Sequence, residues 1–315
     1  MRILFAGTPS LAVPCLQKIA PGFEIIGVLT SRDQPAGRGR GAVQSPVKEA
    51  AVGLGLRVFQ PERLDASFIE ELSVLQPQLL VVAAYGKIFR PTFLALFLQG
   101  GINVHPSLLP RHRGPSPISA AILEGDSATG VTIQRIAQKF DTGEILRQSR
   151  HPLTGRETTA SLTDSLAAEG AELLLAVLQE IAAGCPPAPV VQNEAEATYC
   201  HPLRKEDGLV RWEEPAEKIE RKVRAFDPWP RAFTTYRAET LLLLKSHVYP
   251  DTLAPESGVE AAGHVFAADR GHGLLVGTGR GVLAVERLQL QFKKPLDWRS
   301  FLNGHPEIIG TRLGA

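Results

Sequence analysis

The chain has 315 residues, is 44% hydrophobic and 21% charged, and carries a formal net charge of +1. That length allows two domains with cores of their own, the composition is globular rather than disordered, and the near-neutral charge excludes a polycationic nucleic-acid binder, so any basic surface must be local. Three widely spaced cysteines, Cys15, Cys185 and Cys200, form no CxxC and no Cys/His cluster, which argues against zinc and for reduced thiols in a cytoplasmic protein.

RILFA (2–6) reads as a strand followed by a helix to about residue 20. Gly7, Pro9 and Pro14 interrupt what would otherwise resemble the apolar core of a signal peptide. EIIGVLT (24–30) is a second strand, and a Gly/Arg/Pro loop follows it. A helix then starts with Ser45 as N-cap and Pro46 as first residue. LRVF (56–59) is a short strand, 66–75 a helix, and LLVVAAY (79–85) and GINVH (101–105) two more strands. Apolar strands separated by helices predict a parallel sheet covered on both faces, which takes ligands at the carboxyl ends of its strands. Residues 130–137 and 144–153 read as further strands, and an amphipathic helix over 158–182 closes the unit. No run approaches the ~20 apolar residues of a membrane span.

CPPAPVVQNEAEAT (185–198) has no periodicity and three prolines, so residues 185–206 read as a linker between domains 1–184 and 207–315. Beyond it come one helix near 215–226 and short strands at 232–237, 240–248, 262–268, 273–278 and 281–290. Turns at that regular spacing predict a small β barrel.

The most informative stretch is INVHPSLLPRHRG (102–114). Asn103 and His105 stand two residues apart at a strand end, so they point to one side, and Pro106 keeps His105 extended. An amide N–H can stabilise a developing oxyanion, and an imidazole can move a proton near neutral pH if a carboxylate orients it. Asp141, in FDTG between two expected strands, is the candidate carboxylate, with Gly143 expected to supply an unusual φ. Ser107 lacks a GxSxG elbow, so the set suits direct transfer to an external nucleophile without a covalent enzyme intermediate or a metal. FAGTP (5–9) has Gly7 alone and is not the GxGxxG of a dinucleotide site. Two stretches, 32–48 and 218–231, each have a local net charge of +3, and Lys293 and Lys294 add a basic pair. Together they would make a phosphate-tracking surface.

INVHPSLLPRHRG followed by FDTG resembles the folate-dependent formyltransferases, whose motif is an Asn, a His two residues later, SLLP, and an Asp further on. FAGTP, PAGRG, SPVK, VVAAYG, GVTI, FDTGEIL, RAFDPWP and FLNG extend the match, in order, over residues 1–304. The resemblance implies an α/β, Rossmann-like formyltransferase domain with a parallel-rich sheet and a C-terminal OB-like β barrel. It implies 10-formyltetrahydrofolate as co-substrate, the amino group of methionyl initiator tRNA as acceptor, no metal, and a cytoplasmic monomer without membrane association. By motif, Asn103, His105 and Asp141 carry catalysis, and Ser107, Leu108, Leu109 and Pro110 match the folate-binding stretch. Arg38 matches an arginine that approaches the tRNA acceptor stem. Arg40, Lys222 and Arg224, from the basic stretches, complete the candidate tRNA contacts. Pro106, His112, Gln34, Gly41 and Pro202 depart from the family pattern, the last three thinning its positive surface. Two rivals remain: a formyltransferase for a small amine, which needs neither the basic loop nor a second domain, and a non-catalytic RNA-binding relative, which would not need all three catalytic residues.

Overall fold

The computed structural model describes residues 1–35, 42–250 and 261–314, which form two compact units. The first comprises Met1–Pro117, Ala128–Pro152 and Leu162–Cys200. Its seven-stranded sheet has the order Val58–Phe59, Glu24–Leu29, Arg2–Gly7, Leu79–Ala83, Gly101–His105, Ala128–Arg135, Ile145–Pro152. The first five strands pair in parallel. Ala128–Arg135 pairs antiparallel with Gly101–His105, and Ile145–Pro152 pairs antiparallel with Ala128–Arg135. The sheet is therefore mixed and parallel-rich.

The apolar strands are buried on both faces because helices cover both. Leu4, Ala6, Leu80 and Val82 face a cluster with Phe59, Phe68, Leu72, Phe93 and Phe97, while the alternate residues Ile3, Phe5 and Val81 are equally buried. Ser45 caps the helix Pro46–Gly53 by accepting from the Lys48 N–H at 3.1 Å. On the outer strand Ile145–Pro152 burial alternates, as on a half-exposed edge. Strand register sets Gly7, Ala83 and Val104 side by side, so the chain leaves the sheet at one carboxyl edge, directly at His105.

Part of the stretch read as a linker is built into this unit. Val190 and Ile145 exchange backbone hydrogen bonds of 2.8 Å, and Arg113 bonds through its backbone to Thr198 and Cys200. The three cysteines are free, and burial pushes the Cys15 thiol up to about 12.

The second unit comprises Ile118–Ser127, Leu153–Ser161 and His201–Ala315. Five strands pair antiparallel in the order Ala232–Tyr236, Glu239–Val248, Val282–Leu290, Gly273–Gly277, Val265–Asp269, and Leu296–Asp297 adds to Val282–Leu290. Their inward side chains, among them Leu241, Leu243, Val276, Leu283 and Val285, pack with Ile219 and Val223 of the helix Ala216–Ala225 and with Trp212 and Phe301. Among the described residues no pairing joins the two ends of this sheet. The closed OB-like barrel expected from the sequence is thus a unit of antiparallel strands: turn spacing sets strand number and direction but not closure. Among the described residues no helix is long and apolar enough to cross a membrane.

Candidate active site

Asn103 and His105 project from the end of their strand toward Asp141, as their spacing requires. The Asn103 amide donates to Asp141 Oδ1 at 3.3 Å, and His105 Nδ1 lies 3.5 Å from the same oxygen. Two donors that the motif did not reveal complete the carboxylate's surroundings. Gln134 Nε2 donates to Oδ1 at 2.9 Å, and the Gly114 backbone N–H donates to Oδ2 at 2.9 Å. Gln134 is there because the antiparallel register sets it opposite Asn103.

His105 is almost fully buried. Its Nε2 lies 3.0 Å from the His112 carbonyl oxygen. A carbonyl can only accept, so Nε2 carries the hydrogen and the basic site of the neutral ring is Nδ1, beside Asp141. Desolvation by burial outweighs the pull of the Asp141 charge and of the His112 hydrogen bond and holds the imidazole below the usual histidine range. The resident form at neutral pH is therefore the neutral base. The sequence names Asp141 as the group that orients this ring; in the neutral ring the hydrogen bond that fixes it is the one to the His112 carbonyl.

Asp141 sits in the left-handed region, φ +54°, a conformation that aspartate tolerates better than most residues. Gly143 is required for a different reason from the one expected. A Cβ there would lie 1.7 Å from the Arg135 carbonyl oxygen, so close approach, not φ, demands glycine.

The SLLP stretch is pinned by its backbone. Leu109 N–H donates to Thr132 Oγ1 at 3.2 Å, Thr132 Oγ1 donates to the Ser107 carbonyl at 2.7 Å, and Gln148 Nε2 donates to the Leu109 carbonyl at 2.9 Å. Ser107 turns its hydroxyl onto the Arg111 carbonyl at 2.7 Å. Leu109 is buried, and Leu108 and Pro110 are half-buried. Ser107 and Leu109 therefore shape the loop, and Leu108 and Pro110 are the side chains of the stretch that keep partial exposure.

The basic candidates fare differently. Arg38 and Arg40 lie outside the described residues. Lys222 is 13% exposed and donates to the Leu209 carbonyl at 3.0 Å, with Glu214 at 3.4 Å. Arg224 is 14% exposed, forked on Glu220 at 2.6 and 2.9 Å and bonded to the Glu157 carbonyl at 2.9 Å. Both cations are matched inside their own unit and offer little to a phosphate. Lys293 and Lys294 are exposed.

A parallel-rich sheet with an Asn/His/Asp set at its carboxyl edge offers a fixed N–H donor, a base and a carboxylate, the groups that acyl transfer to an external nucleophile uses. The chain belongs to the formyl transferase family: residues 1–178 match the formyl transferase domain and residues 202–306 its C-terminal domain. Its curated relatives include the methionyl-tRNA formyltransferases of Treponema denticola, 47% identical over 98% of both chains, and of Roseiflexus castenholzii, 44% identical over 100% of this chain and 99% of that one. Two solved structures share the fold. One is an N-formyltransferase from Helicobacter canadensis in complex with folinic acid and dTDP-3-aminofucose (TM-score 0.65, 18% identity, 90% of this chain and 98% of that one). The other is HypX from Aquifex aeolicus in complex with tetrahydrofolic acid (TM-score 0.62, 18% identity, 98% of this chain). This chain spans 48% of HypX.

Proposed function

We propose that this chain is a methionyl-tRNA formyltransferase that moves the formyl group of 10-formyltetrahydrofolate to the amino group of methionyl initiator tRNA for translation initiation. The observation that carries this reading is the convergence of Asn103 and His105 on one oxygen of Asp141, at the sheet edge where such folds bind ligands. Identity of 40 to 47% over nearly whole chains with relatives named for that activity supports the acceptor. The half-buried Leu108 and Pro110 on a loop fixed by its backbone suit the flat face of a folate ring.

The transfer forms one bond from the amine nitrogen to the formyl carbon and breaks the bond from that carbon to the folate nitrogen. The net proton movement is from the attacking amine to the departing nitrogen. One N–H of Asn103 is held by Asp141. The other would donate to the oxyanion of the tetrahedral intermediate, and the bond to Asp141 fixes the amide beforehand. His105, neutral and basic at Nδ1, takes the amine's proton, which Asp141 stabilises in place, and releases it to the leaving nitrogen. The acceptor amine, with an ordinary pKa of about 7.7–8.0, is readily neutral. On this reading the C-terminal unit is an OB-like platform for RNA. Lys293 and Lys294 supply positive charge on that unit, and Arg38 and Arg40 remain the candidates that the sequence names in the N-terminal basic stretch.

The test is the single-residue pair Asn103→Ala and His105→Ala, assayed for transfer with folding checked by circular dichroism. Both should lose at least about 100-fold in kcat. Near wild-type turnover in both would refute the assignment.

A further inference from the structure

The fully buried side chain of Arg113 has no part in the chemistry above, yet among the described residues it is the largest fully buried polar side chain. Burial of a guanidinium is costly unless every donor is matched, and here they are matched in one direction. Nε and Nη2 both donate to Gln192 Oε1, at 3.0 and 2.9 Å. Nη1 and Nη2 donate to Glu194 at 2.9 and 2.7 Å, and Nη1 also to the Tyr199 hydroxyl at 2.9 Å.

A guanidinium cannot accept, so the end of the Gln192 amide that faces it must be the oxygen. The NH₂ end is thereby turned the other way, into the turn that carries Asp141. There Nε2 donates to the Asp141 carbonyl at 2.8 Å and to the Gly143 carbonyl at 2.7 Å, with Gln134 Oε1 at 3.3 Å. Those two carbonyls belong to the turn in which Asp141 takes its left-handed backbone conformation. Such a conformation persists where its surroundings over-determine it, and Gln192 is the side chain that grips both ends of it. The residue after Arg113 closes the circuit, since the Gly114 N–H holds Asp141 Oδ2.

We propose that Arg113 and Gln192 are positioning residues for formyl transfer: Arg113 fixes which way the Gln192 amide points, and Gln192 clamps the turn so that the Asp141 carboxylate meets Asn103 and His105. This rests on the reading of Asp141 as the active-site carboxylate. It also explains why a proline-rich, aperiodic segment is built into the catalytic unit, since Gln192, Glu194 and Tyr199 all come from it.

The experiment compares Gln192→Ala, Gln192→Glu, Arg113→Met and the double variant Arg113→Met/Gln192→Ala with Asp141→Asn, measuring kcat, both KM values, the pH–rate profile and thermal stability. Gln192→Glu is the decisive variant: it keeps size and strengthens the pairing with Arg113, but has no N–H for the two carbonyls. Misplacement of a reacting group by a fraction of an ångström to 1 Å costs up to about 100-fold, so kcat should fall roughly 10- to 100-fold with both KM values within about threefold. The acid limb of the profile should move to lower pH, because a displaced Asp141 no longer supports the charge on His105. The double variant should be no slower than Gln192→Ala by more than about twofold, since the two act in series. A Gln192→Glu enzyme with wild-type kcat and an unmoved acid limb, while Asp141→Asn is crippled, would overturn this inference alone. So would a loss confined to thermal stability. A wild-type rate for Asp141→Asn would overturn the reading of the site and this inference with it.

Discussion

Replacing Asp141 by asparagine removes one charge and one acceptor at almost constant size. The carboxylate lies 3.5 Å from His105 Nδ1. Opposite unit charges at that separation attract by about 5 kcal/mol at an effective dielectric near 20. That attraction exists only when His105 holds the proton in transit, so it stabilises the transition state and not the resting site. Even with part of it recovered by solvent or relaxation, kcat should fall about 1,000-fold, or roughly 4 kcal/mol. The variant also turns an amide NH₂ toward Gln134 or the Gly114 N–H, which now donate to carboxylate oxygens at 2.9 Å. That clash of donors should lower folding stability by about 1–3 kcal/mol. The assay is single-turnover transfer at saturating acceptor, alongside urea denaturation. A kcat within tenfold of wild type in a folded Asp141→Asn protein would refute the reasoning.

Gly143→Ala should be nearly inactive although exchanging a single hydrogen for a methyl, because its Cβ would meet the Arg135 carbonyl oxygen at 1.7 Å and push the turn carrying Asp141 aside; steady-state kinetics on the purified variant decide it. Lys293→Gln/Lys294→Gln should leave kcat unchanged and reduce the slope of log affinity for tRNA against log salt by up to about 2, the number of cations removed; filter binding across a salt series reads it out, and an unchanged slope would remove this pair from the tRNA surface. Glu157 is held down to about 2, burial opposing but outweighed by hydrogen bonds from the Thr154 side chain and from the Thr154 and Arg156 N–H groups. A depressed acid contributes stability that is whole above its unfolded pKa and is lost as pH falls through the folded one. Glu157→Gln should therefore be less stable than wild type at pH 7, and the gap in denaturation midpoints should close between about pH 4.5 and pH 2.

Asn103 and His105 were legible because their signal is local: a strand period of two, an apolar run, and a proline that ends it. Ser45 and Pro46 were legible for the same reason. Gln134 was not, since its role depends on the antiparallel pairing of Ala128–Arg135 with Gly101–His105, and an apolar run such as GVTI reads alike in either direction. Arg113 and Gln192 lie 79 residues apart and meet only in the folded chain. Gln192 was further hidden by the prolines around it, which suit an extended strap as well as a free linker. Lys222 and Arg224 illustrate the opposite failure. A stretch with five cations, four of them on one helix, looks like a phosphate surface in sequence, but Glu214 and Glu220 stand within reach on the same unit and match Lys222 and Arg224. In the C-terminal unit, strand positions followed from turn spacing to within a few residues, whereas closure of the sheet depends on pairings that no local pattern encodes.

The measurement closest to the central claim offers two acceptors side by side to the wild-type enzyme with 10-formyltetrahydrofolate: methionyl initiator tRNA and a small phosphorylated amine such as glycinamide ribonucleotide. Formylation of the charged tRNA, with the small amine untouched, is the predicted result. Transfer to the small amine alone would leave the chemistry of Asn103, His105 and Asp141 standing and contradict the assignment of the acceptor.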